Sequence, residues 1–174
     1  GAYAEYVMKD DFSDGLAMVG EFDNVVVSRT FSKIYGLPGL RIGWMLCSEA
    51  VTSMVQRVRT PFNTNSAALA AATAAIKDQA YMYGVRDANA DSLQILSKEL
   101  SELGIEVVPS VANFYLLRFS ADTGKSGSGA AECLLRNNII PRPAGDSDEY
   151  LRITVGTAKE NAAVMTALRD YMAG

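Results

Sequence analysis

The 174-residue chain reads as α/β, with a partial sheet and its helices over residues 1–104 and a smaller α+β lobe over 105–174. Three patterns predict this. Two short, wholly apolar runs at 25–27 and 42–46 flank a Gly- and Pro-punctuated loop, as strands of a sheet covered on both faces do. Helical periodicity then dominates from Ser48 to Leu103. After Gly104, short strand-like runs alternate with helical ones, the pattern of helices laid on one side of a small sheet.

Taken in order, the chain opens on Gly1, Ala2 and Tyr3, followed by a polar stretch, 9–24, with a short helix expected around 15–19. The loop between the two apolar runs reads Ser28-Arg29-Thr30-Phe31-Ser32-Lys33-Ile34-Tyr35-Gly36-Leu37-Pro38-Gly39-Leu40-Arg41. Ser48 is placed to cap a helix whose apolar face is Val51, Met54, Val55 and Val58, and Pro61 stops it. The alanine-rich run 66–76 reads as a helix in the interior or at a subunit interface. A long helix over 81–103 carries the seam Val85, Leu93, Leu96, Leu100 and Leu103, with Gly104 as its left-handed terminator. Strands are expected at 105–108, 113–119, 139–140 and 150–154, a mobile Gly/Ser-rich loop at 121–129, and a helix at 130–137. Thr157 and Glu160 form a capping box for the last helix, whose buried face is Val164, Leu168, Tyr171 and Met172.

Composition removes several function classes. A hydrophobic content of 49% supports a genuine core rather than disorder. The net charge of -4 and pI near 4.9 leave no basic footprint for nucleic acid. No apolar run approaches the ~20 residues that cross a bilayer, and the first residues lack the charged and apolar regions of a secretory signal. Cys47 and Cys133 read as buried small hydrophobes of a reducing, cytoplasmic compartment. Histidine is absent, which excludes Ser-His-Asp triads and His-based zinc sites; no metal is expected. Proton transfer falls to lysine, tyrosine or a carboxylate.

The chemistry concentrates in the first loop. Lys33 lies two positions from both Phe31 and Tyr35, so aromatic bulk limits its contact with water. A lysine deprived of water is more readily neutral and attacks carbonyls. Thr30, Ser32 and Arg41 add two hydroxyls and a cationic fork, a receptor for a phosphate dianion. A lone lysine in such a loop is ordinarily a solvated one; the coupling to Arg41 and the hydroxyls, together with the downstream matches below, turns the reading toward an aldehyde site. Further on, Arg152 sits on a strand opposite in face to Leu151 and Ile153, which suits capture of a carboxylate.

Ser28-Arg29-Thr30-Phe31-Ser32-Lys33, with Arg41-Ile42-Gly43 beginning eight residues after the lysine, resembles the lysine segment of the fold-type I pyridoxal-phosphate (PLP) aminotransferases, most closely their histidinol-phosphate group. The resemblance spans three ordered blocks, Ala2-Tyr3, 28–44 and 151–161. It implies that Lys33 holds PLP covalently, that Arg41, Thr30 and Ser32 hold its phosphate, and that Tyr3 contacts its phenolic oxygen. The family's aspartate for the ring nitrogen would lie one residue before Gly1. Arg152, in Leu151-Arg152-Ile153-Thr154-Val155-Gly156, is implied to bind the substrate's α-carboxylate, and Asn113 to line the entrance. Arg142 is either the ligand of the substrate's distal phosphate or a solvated loop arginine. Residues 59–66 resemble a segment that approaches the cofactor of a neighbouring subunit; a plain capped loop accounts for them equally.

The implied reaction is transamination from an amino donor to 2-oxoglutarate in a cytoplasmic homodimer. Histidinol phosphate is the favoured donor and an aromatic amino acid its rival. The resemblance also makes the chain the C-terminal part of a longer enzyme, with feeble or no turnover by itself. A reading from another class is a non-catalytic fragment that self-associates.

Overall fold

In the computed structural model, which describes residues 1–174 apart from the side chain of Ala121, the chain divides into two units, Gly1–Arg86 and Asp87–Gly174. The first contains helix α1 (Leu16–Glu21), strands β1 (Val27–Thr30) and β2 (Gly43–Leu46), helices α2 (Glu49–Val58) and α3 (Ser66–Lys77), and the start of α4 (Gln79–Glu102). β1 and β2 pair antiparallel, with Val27 opposite Leu46 and Thr30 opposite Gly43. A Cβ on Gly43 would lie 2.5 Å from the Arg29 carbonyl oxygen, so only glycine fits this crossing.

Two expectations change here. The strand foreseen at 25–27 begins at Val27 and runs to Thr30, because its partner is the sequence-distant β2. The sheet covered on both faces is not formed within this unit: all four β2 residues are exposed, and so is Val26. A two-stranded ribbon has no second layer to bury its apolar side chains. α2 behaves likewise. Ser48 caps it by accepting from the Val51 amide, yet Met54 and Val58 of its apolar face remain exposed. What does bury is a small cluster of Phe31, Ile42, Ala68 and Ala72, where the alanines let α3 approach closely, and a second of Tyr6, Ile34 and Met82.

The second unit contains β3 (Glu106–Val108), β4 (Phe114–Arg118), α5 (Gly127–Arg136), β5 (Arg142–Pro143), β6 (Tyr150–Thr154) and α6 (Ala158–Ala173), together with the rest of α4. The strands form an antiparallel sheet in the order β3-β4-β6-β5. Tyr115 and Leu117 of β4 stand opposite Ile153 and Leu151 of β6, and this face makes the core with Leu93, Leu96 and Leu100, Leu134, Val164 and Leu168. The division of the chain therefore falls inside α4, whose leucine seam belongs to the second core. Gly104, at φ +80°, ends α4 in the left-handed region. The Thr157–Glu160 capping box is present in both directions.

The Gly/Ser-rich stretch is more ordered than its composition suggests. A 3-10 turn covers Ala121–Thr123, and α5 begins at Gly127 with Ser126 as its cap, three residues before the expected start. Gly127 is pressed on the carbonyls of Asp148 and Tyr150, a tertiary contact invisible to local reading. The expected strand at 139–140 is absent. Asn138, at φ +60°, turns the chain there, Ile140 is exposed, and the edge strand forms instead at Arg142–Pro143, where a proline costs no ladder bond. Cys133 is buried as expected, but Cys47 is only partly so. No helix among the described residues is long and apolar enough to cross a membrane, and no group of acidic or sulfur ligands among them converges as a metal site.

Candidate active site

The loop after β1 is folded by its own backbone. The Ser32 amide donates to Thr30 Oγ1 at 3.0 Å, the Phe31 amide to the Ile42 carbonyl at 3.2 Å, and the Leu37 amide back to the Phe31 carbonyl at 2.9 Å. The Gly36 amide donates to the Lys33 carbonyl at 2.9 Å, with Gly36 in the left-handed region. Burial of Phe31 and Ile34 on either side leaves Ser32 and Lys33 half-buried and presented together.

The shielding expected from Phe31 and Tyr35 takes another form. Those two rings pack on each other, 5.0 Å apart, with Phe31 committed to the α3 cluster. It is the ring of Tyr3 that lies 5.4 Å from Lys33 Nζ, in cation–π contact. Tyr3 in turn neighbours Tyr6, whose phenol is pushed up to about 12, by burial first and then by Tyr3, Tyr81 and Glu5. The Tyr35 phenol is also raised, chiefly by burial.

Arg41 has φ 51° and ψ 53°, a left-handed backbone at the end of the turn Pro38–Leu40. Its exposed guanidinium folds back over the loop, and Nη1 donates to Ser32 Oγ at 3.3 Å and to the Pro38 carbonyl at 2.7 Å. Thr30, Ser32 and Arg41 are thus joined in one hydrogen-bonded chain beside Lys33, with Tyr3 on the amine.

In the second unit, the face of the sheet opposite the core carries Arg152 in register with Leu116 on one side and Arg142 on the other. Like charges directly opposite on a sheet repel, so this pair is suited to an anion. Arg152 lies 4.4 Å over the Phe114 ring, and its Nε is buried without a hydrogen-bond partner. Asn113 adjoins β4, its carbonyl accepting from the Val155 amide at 2.9 Å.

Two residues escaped the sequence reading. Phe114, which holds the Arg152 guanidinium, was a bare neighbour of Asn113; the two-residue period of paired strands was the signal that could have found it. Arg29 is the other. It is 7% exposed and forms ion pairs with Asp14 at 3.3 Å and Glu5 at 3.9 Å, which no local pattern announces.

This arrangement can do two things. A primary amine beside hydroxyls and a guanidinium can hold an aldehyde that bears an anionic tail, and a stacked arginine opposite a second arginine can hold a carboxylate or phosphate. The mixed helix and sheet order is that of the fold-type I aminotransferases. The fold agrees at TM-score 0.89 with the solved structure of a putative histidinol-phosphate aminotransferase from Erwinia carotovora atroseptica, at 26% identity, over 98% of this chain and 49% of that one. It agrees at 0.85 with histidinol-phosphate aminotransferase from Sinorhizobium meliloti in complex with pyridoxal-5'-phosphate, at 28% identity, over 99% of this chain and 47% of that one.

Residues 1–168 match the family model for aminotransferase class I and II, and the chain belongs to that family. Among curated relatives, it is 47% identical to histidinol-phosphate aminotransferase of Paramagnetospirillum magneticum over 98% of this chain and 48% of that protein. It is 43% identical to the protein of the same name in Rhodospirillum centenum, over 99% and 48%. The chain spans about half the length of the curated relatives it matches.

Proposed function

We propose that the chain serves a PLP-dependent transamination in histidine biosynthesis, with histidinol phosphate as amino donor and 2-oxoglutarate as acceptor, in a cytoplasmic homodimer. The observation that carries this reading is the Arg41–Ser32–Thr30 hydrogen-bonded chain beside Lys33. Its donors fit the cofactor chemically: an amine for the aldehyde, two hydroxyls and a guanidinium for the phosphate dianion, and the Tyr3 phenol for the ring oxygen. PLP, when bound, supplies an electron-withdrawing ring that acidifies the donor's Cα–H.

The chain's own residues do the rest. Arg41, Ser32 and Thr30 hold the phosphate end, so Lys33 meets the aldehyde from a fixed loop. Tyr3 would keep water from one side of the Lys33 amine, which would hold and move the donor's Cα proton. Arg152, flattened on Phe114, takes the α-carboxylate through its guanidinium. Arg142 takes the distal phosphate, and Asn113 lines the entrance. The domain division at 1–104 and 105–174 belongs to the same reading. The name shared by relatives at 41–47% identity favours histidinol phosphate over an aromatic amino acid.

The exposed apolar residues Met54, Val58, Phe62 and Leu69 on α2, α3 and the loop between them support a homodimer. The exposed Trp44, Met45 and Leu46 of β2 favour a second reading, a non-catalytic chain that self-associates through uncovered sheet. The test is to mix the chain with PLP, reduce with borohydride and map the label by mass. Modification concentrated at Lys33, and abolished in Lys33→Ala, supports the transaminase site. Label scattered over many lysines sinks it and leaves the second reading. With a functional site in hand, turnover of histidinol phosphate against phenylalanine separates the two donors.

A further inference from the structure

We infer that Arg29 is a positioning residue, a buried tether that orients the N-terminal turn so that Tyr3 faces Lys33. The inference rests on the reading of Lys33 as the cofactor lysine, but its geometry stands apart from it.

Arg29 lies on β1, four residues before Lys33, and its side chain is 5% exposed. Its guanidinium meets three separate places, by hydrogen bonds at Asp14 and Ser28 and by an ion pair at Glu5. Nη2 reaches Asp14 Oδ2 at 3.3 Å and the Asp14 carbonyl at 3.1 Å, Nη1 reaches the Ser28 carbonyl at 3.3 Å, and Nε faces Glu5 Oε1 at 3.9 Å. The planar fork of arginine spreads five donors toward acceptors on different sides, whereas a lysine gathers its three on one compact ammonium. Trp44 of β2 lies 6.0 Å away and closes the group from another side.

Glu5 belongs to the 3-10 turn Ala4–Tyr6, which the Tyr6 amide closes by donating to the Tyr3 carbonyl at 3.1 Å. Tyr6 anchors that turn by burial against Ile34 and Met82. Tyr3 is itself partly buried against the same cluster, so apolar contact seats the turn at both residues. The Arg29–Glu5 ion pair, at 3.9 Å, adds an electrostatic anchor on the residue between them, and together these contacts set where the Tyr3 ring points. Residues 8–14, which connect Glu5 to Asp14, are exposed throughout, so the segment is held at its two ends and both ends meet the same guanidinium. Arg29 thereby couples β1, which leads into Lys33, to the segment that supplies the ring over the amine.

The experiment uses the chain itself in two arms. In the first, amide hydrogen exchange of the cofactor-free protein is followed by mass spectrometry in wild type, Arg29→Lys and Arg29→Met. Arg29→Met leaves two carboxylates without their cation, and peptides covering 3–7 should exchange at least about tenfold faster. Arg29→Lys, which can meet Asp14 but not Glu5 as well, should fall between. In the second arm, PLP affinity is read by absorbance titration. Arg29→Met should weaken it about tenfold by loosening Tyr3, but by less than about twofold when Tyr3→Ala is already present.

Unchanged exchange at 3–7, or an equal loss of PLP affinity with and without the Tyr3 ring, overturns the inference and leaves Arg29 a stabilising residue only. If the wild-type chain takes no PLP at Lys33, the transaminase reading fails and the first arm alone decides the tether. Should Arg29→Met fail to fold, Glu5→Gln leaves the Asp14 pair intact and carries both readouts in the same directions.

Discussion

Arg41 occupies a backbone conformation that its side chain does not favour, and this makes a sharp prediction. At φ 51° and ψ 53° a residue with a Cβ costs about 1–2 kcal/mol. Arg41→Ala and Arg41→Gly lose the same two hydrogen bonds, to Ser32 and Pro38. They differ only in the backbone. Alanine keeps the left-handed penalty, whereas glycine escapes it but gives up roughly 0.5–1 kcal/mol of extra chain entropy. Glycine should therefore be the more stable variant by about 1 kcal/mol. With a urea dependence near 1 kcal/mol per molar for a small unit, the midpoints should separate by about 1 M. The one tryptophan, Trp44, lies on β2 within the first unit, so its fluorescence reads this unfolding directly. PLP affinity should not follow stability: both variants lack the guanidinium and should lose about 1.5–3 kcal/mol, a tenfold to hundredfold weakening. If Arg41→Ala proves as stable as Arg41→Gly, the backbone is not held where this argument puts it. If either variant binds PLP like wild type, Arg41 is not the phosphate ligand.

Other expectations are narrower. Phe114→Leu removes the ring under Arg152, and calorimetric titration with 2-oxoglutarate should show roughly threefold to thirtyfold weaker binding, the range of a partly buried cation–π contact. Leu117→Ala empties a fully buried position where β4 meets β6 and should destabilise the second unit by about 2–5 kcal/mol, read by denaturant unfolding. The Glu160 carboxyl is held below its ordinary value by the Thr157 amide and hydroxyl. A depressed folded-state value means stability present at neutral pH and lost as pH falls through the acid range; protection of the Thr157 amide, relative to its intrinsic exchange rate, should fall there, and Glu160→Gln should flatten that dependence.

Much of this protein could be read from neighbouring residues alone, wherever the cause is itself local. The long helix follows from leucines spaced by threes and fours with Gly104 behind them, the last helix from the Thr157–Glu160 box, and β6 from alternation around Arg152. The proximity of Arg41 to the lysine segment was legible too, because a turn closed by Pro38, Gly39 and Leu40 brings it back within hydrogen-bonding reach of Ser32. The errors share a different origin. The strand expected at 139–140 formed at Arg142–Pro143 because register against β6 selects the edge, and α5 began early because Gly127 meets carbonyls some twenty residues away.

The sequence by itself determined most helices, their caps and the residue types gathered in the Lys33 loop. Only the tertiary structure decided which aromatic covers Lys33, which ring supports Arg152, and that Arg29 is buried between two distant carboxylates. Those pairings depend on cross-strand register and on burial of charge, and both arise only when segments far apart in the chain meet.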